Sequence, residues 1–142
     1  MKAMKPILMM ITAVGITVAT LPRAADEEID TVPATKAALT WLAIVDAGHY
    51  GQSWESTAEV FRAGVTKPQW EALVASVRGK VGGVQLRKVT SVQFVRDLPK
   101  APPGEYVVIQ YATRFDNGQF NETVTPMHEK DGSWKVAGYY IK

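Results

Sequence analysis

The stretch GEYVVIQYATRFDNGQFNETVTPMHEKDGSWKVAGYYIK, residues 104–142, decides the fold. Apolar and polar residues alternate along it with the period of two that is typical of half-buried strands. Two short turns, Asn117-Gly118 and Asp131-Gly132, interrupt the alternation and are typical of tight hairpins. The pattern therefore predicts three consecutive antiparallel strands, over Tyr106–Asp116, Phe120–Glu129 and Trp134–Ile141.

The chain before this stretch adds a fourth strand and three helices. A period of two already runs from Val84 to Arg96, although Lys88 and Thr90 interrupt its apolar face. Three segments with apolar residues at helical spacing precede that strand, one from Pro33 to Gly48, one over about Trp54–Arg62, and one from Thr66 to the glycines at 79–83. We therefore predict an α+β fold in which three N-terminal helices pack on a curved four-stranded antiparallel meander sheet.

Two of the helices carry start signals and apolar stripes. Ser56 with Glu59, and Thr66 with Gln69, have the spacing of a capping box. In the third helix the apolar residues form a single stripe. These residues are Trp70, Leu73, Val74 and Val77.

The first 25 residues have the pattern of a cleaved signal peptide. Lys2 and Lys5 precede Ile7–Ala19, a run of 13 uncharged residues that is too short to span a bilayer. Cleavage after Ala25 leaves an acidic start, and cleavage after Ala19 is the alternative. An uncleaved anchor is the other interpretation of the segment. We predict a leader over 1–25, a flexible segment over 26–32, one domain over 33–142, periplasmic or secreted localisation and no stable membrane anchor after cleavage.

Composition excludes several classes of function. The chain has 142 residues and no cysteine, which excludes disulfide scaffolds, thiolate metal sites and cysteine nucleophiles. The positive net charge of the chain comes from the leader, because the chain after Ala25 has 13 basic and 14 acidic residues. No basic patch remains that would indicate a nucleic-acid partner. We predict no cofactor and no metal site, since no cluster of His, Asp and Glu has ligand spacing.

Several blocks of the sequence resemble a known bacterial family. They are WLAIVDAGHYGQSW (41–54), FRAGVTKPQW (61–70), GEYVVIQYATRF (104–115), ETVTPM (122–127) and DGSWKVAGYYIK (131–142). In order and spacing these blocks resemble the domain of unknown function 4019, over roughly residues 37–142. The resemblance implies a bacterial protein with a signal peptide, and it implies no assigned activity.

The order of elements is more loosely similar to a second group of proteins. Helices before an antiparallel sheet, and a closing strand of the form D-G-x-W-x-V-x-G-Y, resemble the cone-shaped fold of the nuclear transport factor two and ketosteroid isomerase superfamily. This resemblance implies a sheet that curls over the helices and leaves a cavity at its open end. The fold hosts enzymes and binding modules alike, so it does not decide function.

Asp46, His49 and Glu122 are the candidate catalytic residues. Asp46 and His49 lie three apart at a helix end, so Asp46 could orient a histidine base or act as the base itself. The alternative is a solvated helix end, and the resembling family has aspartate at the position of His49. Glu122 shares a strand face with apolar residues, where a carboxylate is costly without a partner.

Arg114 is the predicted partner of Glu122. If Asn117-Gly118 is the turn, Arg114 lies opposite Asn121 and therefore beside Glu122. The pair could form a ligand handle, and the alternative is an ion pair on the outer face of the sheet. On the first interpretation, we expect Glu122→Gln to leave the fold intact.

Aromatic residues supply the remaining candidates for ligand binding. Trp41, Tyr50, Trp54 and Tyr111 could line a cavity for an apolar ligand, alongside Arg114 and Glu122. Core packing is the alternative for each of them.

Three functions are compatible with these patterns. The first is a non-enzymatic exported module that binds a small apolar ligand or a protein partner. The second is a small cone-fold enzyme, an isomerase or hydrolase of an apolar substrate. The third is a subunit that forms a homodimer through its sheet.

Overall fold

The computed structural model describes residues 29–142. Its helices precede its strands in the chain, which confirms the predicted α+β class. The elements are α1 Val32–Asp46, α2 Tyr50–Glu55, α3 Glu59–Gly64, α4 Lys67–Val81, β1 Val84–Arg96, β2 Glu105–Phe115, β3 Gly118–His128 and β4 Trp134–Ile141. The predicted leader and residues 26–28 lie outside the described part of the chain.

Helix α1 forms as predicted because its apolar residues share one face. All five residues of the predicted stripe are buried; they are Ala34, Ala38, Trp41, Leu42 and Val45. Pro33 lies in the first turn, where its missing N–H costs nothing. The helix ends before Gly48, whose φ of +81° favours glycine.

The predicted second helix is wrong, because the chain forms two short helices there. Helix α2 ends at Glu55 and α3 begins at Glu59. Between them the N–H of Ala58 donates to the carbonyl of Val136 on β4, at 2.8 Å. Ser56 does not cap α3, since its hydroxyl donates to the carbonyl of Gln52. The hydrogen bond to the sheet thus interrupts a segment that local sequence would leave helical.

Helix α4 begins with the predicted capping box and differs from prediction in its buried stripe. The side chain of Thr66 accepts from the N–H of Gln69, and the Gln69 side chain accepts from the N–H of Thr66. Leu73 is 56% exposed, so the predicted stripe is only partly correct. The buried side of the helix consists of Trp70, Val74, Arg78 and Val81.

The strands form one antiparallel meander in the order β1-β2-β3-β4. The turn between β2 and β3 differs from the prediction. Phe115 lies opposite Gly118, so the turn residues are Asp116 and Asn117. Two register shifts interrupt β1, between Val84 and Leu86 and between Val89 and Ser91. A third shift, in the pairing of β3 with β4, lies between Thr125 and Pro126, and Pro126 cannot donate a ladder hydrogen bond.

The hydrophobic core lies between the helices and one face of the sheet. On β2 that face carries Val107, Ile109, Tyr111, Thr113 and Phe115, all of which are buried. Helix α1 packs against β2, β3 and β4, and α3 packs against β4. No described helix is long and apolar enough to cross a membrane.

Candidate functional site

A fully buried carboxylate lies at the centre of the helix-facing side of the sheet. Glu122 on β3 has no exposed surface, and its side chain accepts four hydrogen bonds. Arg87 binds both carboxylate oxygens, with Nε 2.7 Å from Oε1 and Nη2 3.1 Å from Oε2. The hydroxyls of Thr113 and Tyr139 donate to Oε1 and Oε2, each at 2.5 Å. Such a bidentate guanidinium pair compensates part of the cost of burying the charge.

A second carboxylate and a second arginine complete this group. Asp46, at the end of α1, accepts from Nη1 and Nη2 of Arg87 at 2.8 and 3.1 Å. Arg78 on α4 lies 2.8 Å from Asp46 and 3.6 Å from Glu122. We call Asp46, Arg78, Arg87 and Glu122 the charge cluster. Its two acids and two bases have a formal charge of zero, and they come from α1, α4, β1 and β3.

Hydrogen bonding fixes the charge states of Asp46 and Arg87. Burial alone would raise the pKa of Asp46, but hydrogen bonds from Arg87 and Arg78 outweigh burial and hold that pKa below its usual value. Burial alone would lower the pKa of Arg87, and its bonds to Asp46 and Glu122 raise it instead. Asp46 and Arg87 are therefore both charged at neutral pH.

Two tyrosines border the charge cluster as neutral hydroxyls. Burial, together with the charge of Glu122, raises the pKa of Tyr139 far above its usual range. Burial raises the pKa of Tyr111 to about 12. The hydroxyl of Tyr111 is buried and has no hydrogen-bond partner among the described residues, whereas that of Tyr139 donates to Glu122.

A groove lies on another part of the molecule, between α1 and β4. This α1–β4 groove has a volume of about 430 Å³. Its apolar lining comprises Pro33, Ala37, Trp41, Ile44, Trp134 and Val136. Thr40 and Ser56 add hydroxyls, and Lys36 and Lys135 add positive charges. Neither lysine makes an ion pair within the described residues.

Comparison with known proteins places the chain in a family. A family model described as "Protein of unknown function (DUF4019)" matches residues 37–139, well over half of the chain. The chain belongs to this family. A search of curated proteins finds no match. The resemblance to DUF4019 proteins is thereby confirmed, and the looser resemblance to the cone-shaped fold stays a prediction.

The DUF4019 chain does not join Asp46 to His49 as predicted. Asp46 directs its carboxylate to the two arginines, and His49 is exposed. His49 precedes α2, and its carbonyl accepts the N–H of Ser53 at 3.0 Å. The structure therefore separates the two members of the proposed acid–base pair.

Arg114 is not the partner of Glu122 in this DUF4019 structure. Because the β2–β3 turn lies one residue earlier than predicted, Arg114 is opposite Gln119 and Tyr111 is opposite Glu122. Arg114 is exposed on the outer face of the sheet. Arg87 fills the predicted role, and it faces the helices because of the register shifts in β1.

The predicted aromatic candidates are mostly core residues of the DUF4019 domain. The indole N–H of Trp41 donates to the Ser53 carbonyl, and that of Trp70 to the Ser53 hydroxyl, each at 2.9 Å. Trp54 donates to the carbonyl of Val65 at 2.8 Å, and Tyr50 packs against the core. Of Trp41, Tyr50, Trp54 and Tyr111, Trp41 alone is among the residues that line the α1–β4 groove.

Sequence reasoning missed Arg78, Arg87, Ser53 and Tyr139 as partners of buried groups. Arg78 carried a usable signal, because it lies four residues after Val74 and eight after Trp70 on the buried side of α4. Arg87 and Ser53 carried no such signal, since the position of Arg87 depends on strand register and that of Ser53 depends on α2. Within residues 29–142, no group of three or more His, Asp and Glu residues could hold a metal ion.

Proposed function

We propose that this chain is an exported, non-enzymatic binding protein whose α1–β4 groove holds a small amphipathic anion. The observation that carries the proposal is the lining of that groove, which combines an apolar surface with two lysines and includes no acidic residue. A ligand with an apolar body and a carboxylate, phosphate or sulfonate group would match this lining.

The size of the groove supports a small ligand. A volume of about 430 Å³ lies in the range of roughly 300–1,000 Å³ that is usual for small-molecule sites. Trp134 forms one wall and is held by stacking on His128, with 4.6 Å between ring centroids and 10° between planes. The indole of Trp41 is fixed by its bond to Ser53. A wall made of fixed aromatic rings lowers the entropic cost of binding.

The state of the acidic candidates favours binding over catalysis. A small isomerase or hydrolase requires a carboxylate or imidazole that faces its substrate. Asp46 and Glu122 instead bind guanidinium groups, and neither lines the α1–β4 groove.

Binding is tested on the chain that begins at Asp26, with anilinonaphthalene sulfonate as an amphipathic anionic probe. We expect Lys36→Gln with Lys135→Gln to weaken probe binding about tenfold, the equivalent of about 1.4 kcal/mol. Lys80→Gln with Lys88→Gln is the matched control, because it removes the same charge at exposed positions outside the groove. Equal binding by both double variants would refute the groove as the site. Native mass spectrometry of protein purified from a periplasm then identifies the natural ligand.

Export is tested separately, by expression of the full chain in a Gram-negative bacterium. The proposal rests on Lys2 and Lys5 ahead of the uncharged run Ile7–Ala19. We expect the periplasmic fraction to contain a protein whose intact mass lacks residues 1–25. A mass that lacks only residues 1–19 would support export and move the cleavage site. Full-length protein confined to the cytoplasm would contradict export, and full-length protein in the membrane would contradict cleavage.

A further inference from the structure

Strand β1 is an edge strand that exposes apolar side chains. It pairs with β2 on one side only, and its 13 residues make it the longest described strand. The described helices pack closely on β2, β3 or β4 rather than on β1. Val89 and Val92 are therefore 54% and 41% exposed, and Leu86, on the outer face of the sheet, is 46% exposed. A long apolar edge strand is a template for pairing with another chain.

The register shift in β1 decides which side chains share a face. Val89 lies opposite Tyr111 and Val92 opposite Ile109, so both valines face the helix side of the sheet. They do so three residues apart because the shift lies between Val89 and Ser91. Without the shift, residues three apart would lie on opposite faces.

We propose that a second copy of this chain pairs with β1 in antiparallel orientation, about a twofold axis between Thr90 and Ser91. In this register Val89 of each copy lies opposite Val92 of the other. Leu86 lies opposite Val95 on the outer face, and Arg87 lies opposite Phe94 on the helix side. In each of these pairs the two side chains project to the same face of the sheet. Because of the register shift in β1, only some antiparallel registers have this property.

This register places no like charges opposite each other. Lys88 lies opposite Gln93, and Arg96 opposite Gln85, so no like charges meet. Moving the twofold axis by one residue toward the C-terminus places Arg87 opposite Arg96. Moving it by one residue toward the N-terminus places Arg87 opposite Val92. Because the residues of β1 are compatible with one another when two copies of the strand lie antiparallel, a second copy of the same chain is a suitable partner.

The first measurement determines the oligomeric state of the chain that begins at Asp26, by sedimentation over a range of protein concentrations. We expect a concentration-dependent dimer that Val89→Lys with Val92→Lys weakens at least about tenfold, because lysines then face one another. Leu39→Lys with Leu73→Lys is the matched control, since those leucines are similarly exposed on helices. A wild-type protein that stays monomeric, or a dimer that the control weakens equally, would overturn the proposal.

The second measurement tests the register itself. The chain has no cysteine, so each introduced thiol is the only one in its copy. We expect a disulfide when Val89→Cys and Val92→Cys proteins are mixed, because directly opposite residues have a Cα separation within the range that disulfides span. Each variant alone should not cross-link, since Val89 is not opposite itself. Cross-linking of either variant alone, or the absence of cross-linking in the mixture, would overturn the register.

Discussion

Glu122 is a carboxylate with no contact to water, and the cost of replacing it depends on its partners. Glu122→Gln would leave the Arg78 and Arg87 guanidiniums with one carboxylate between them. Because an uncompensated buried charge is strongly unfavourable, we expect the free energy of unfolding to fall by about 3–5 kcal/mol in urea denaturation. The charge cluster thus leads to a different prediction from the sequence alone, from which we expected this change to leave the fold intact. Glu71→Gln, at an exposed position on α4, should cost less than about 0.5 kcal/mol.

Tyr111 and Tyr139 form a natural pair of test and control. Tyr111→Phe removes a hydroxyl that has no partner among the described residues, so we expect the stability to change by less than about 1 kcal/mol. Tyr139→Phe removes a donor to Glu122 and should cost about 1–3 kcal/mol. Thermal and urea unfolding of the two variants measures both values. Equal losses would mean that the two hydroxyls are bonded alike.

At the scale of single residues, the sequence predicted that Glu122 requires a partner but not which residue that partner is. Glu122 stands among apolar neighbours on β3, so a compensating partner was expected. The predicted partner, Arg114, was wrong because a one-residue change in turn position moves every cross-strand pair. Arg87 could not be identified from the sequence, since register shifts in an edge strand leave no simple periodic signal.

Among the elements, the junction of α4 and β1 depends on a glycine. Gly82 has a φ of +83°, and a Cβ there would lie 2.7 Å from the Cβ of Asp116. We expect Gly82→Ala to lower the free energy of unfolding by about 1–3 kcal/mol, because the backbone conformation is nearly restricted to glycine. Gly79→Ala is the control, since Gly79 lies within α4 and a Cβ there meets nothing within 4 Å. It should stabilise by about 0.5–1 kcal/mol.

Elements with a strong local pattern were predictable, and those held by distant contacts were not. Helix α1 has a full stripe, a proline in its first turn and a glycine after its end, and it forms as predicted. The predicted helix over 54–62 is divided because Ala58 bonds to β4, more than seventy residues later. A contact of that range has no signature in the local sequence.

For the molecule as a whole, the charge cluster makes stability depend on acidity. The pKa of Asp46 is lower in the folded chain than its usual value of 3.8. A lowered carboxyl pKa contributes stability above the unfolded pKa, and this contribution disappears as the pH falls through the folded pKa. The link that Asp46 makes between α1, α4 and β1 should therefore weaken only below about pH 4.

Asp46→Asn isolates this contribution. We expect the variant to be about 1–3 kcal/mol less stable than wild type at neutral pH, because two arginines lose a charged partner. The difference should stay constant down to about pH 5 and then shrink below pH 3.8. Urea denaturation of both proteins across this range measures it. A difference that does not vary with pH would contradict the assignment of the effect to the Asp46 charge.

The balance of two acids and two bases also constrains how related sequences can diverge. Replacing one member of the charge cluster by a neutral residue leaves one charge of the cluster uncompensated. Replacing one acid together with one arginine restores neutrality. We therefore expect substitutions at these positions to occur in compensating pairs among related proteins, rather than singly. Positions 46, 78, 87 and 122, which are distant in the chain, should then co-vary among DUF4019 sequences, so that the inheritance of one residue predicts the others.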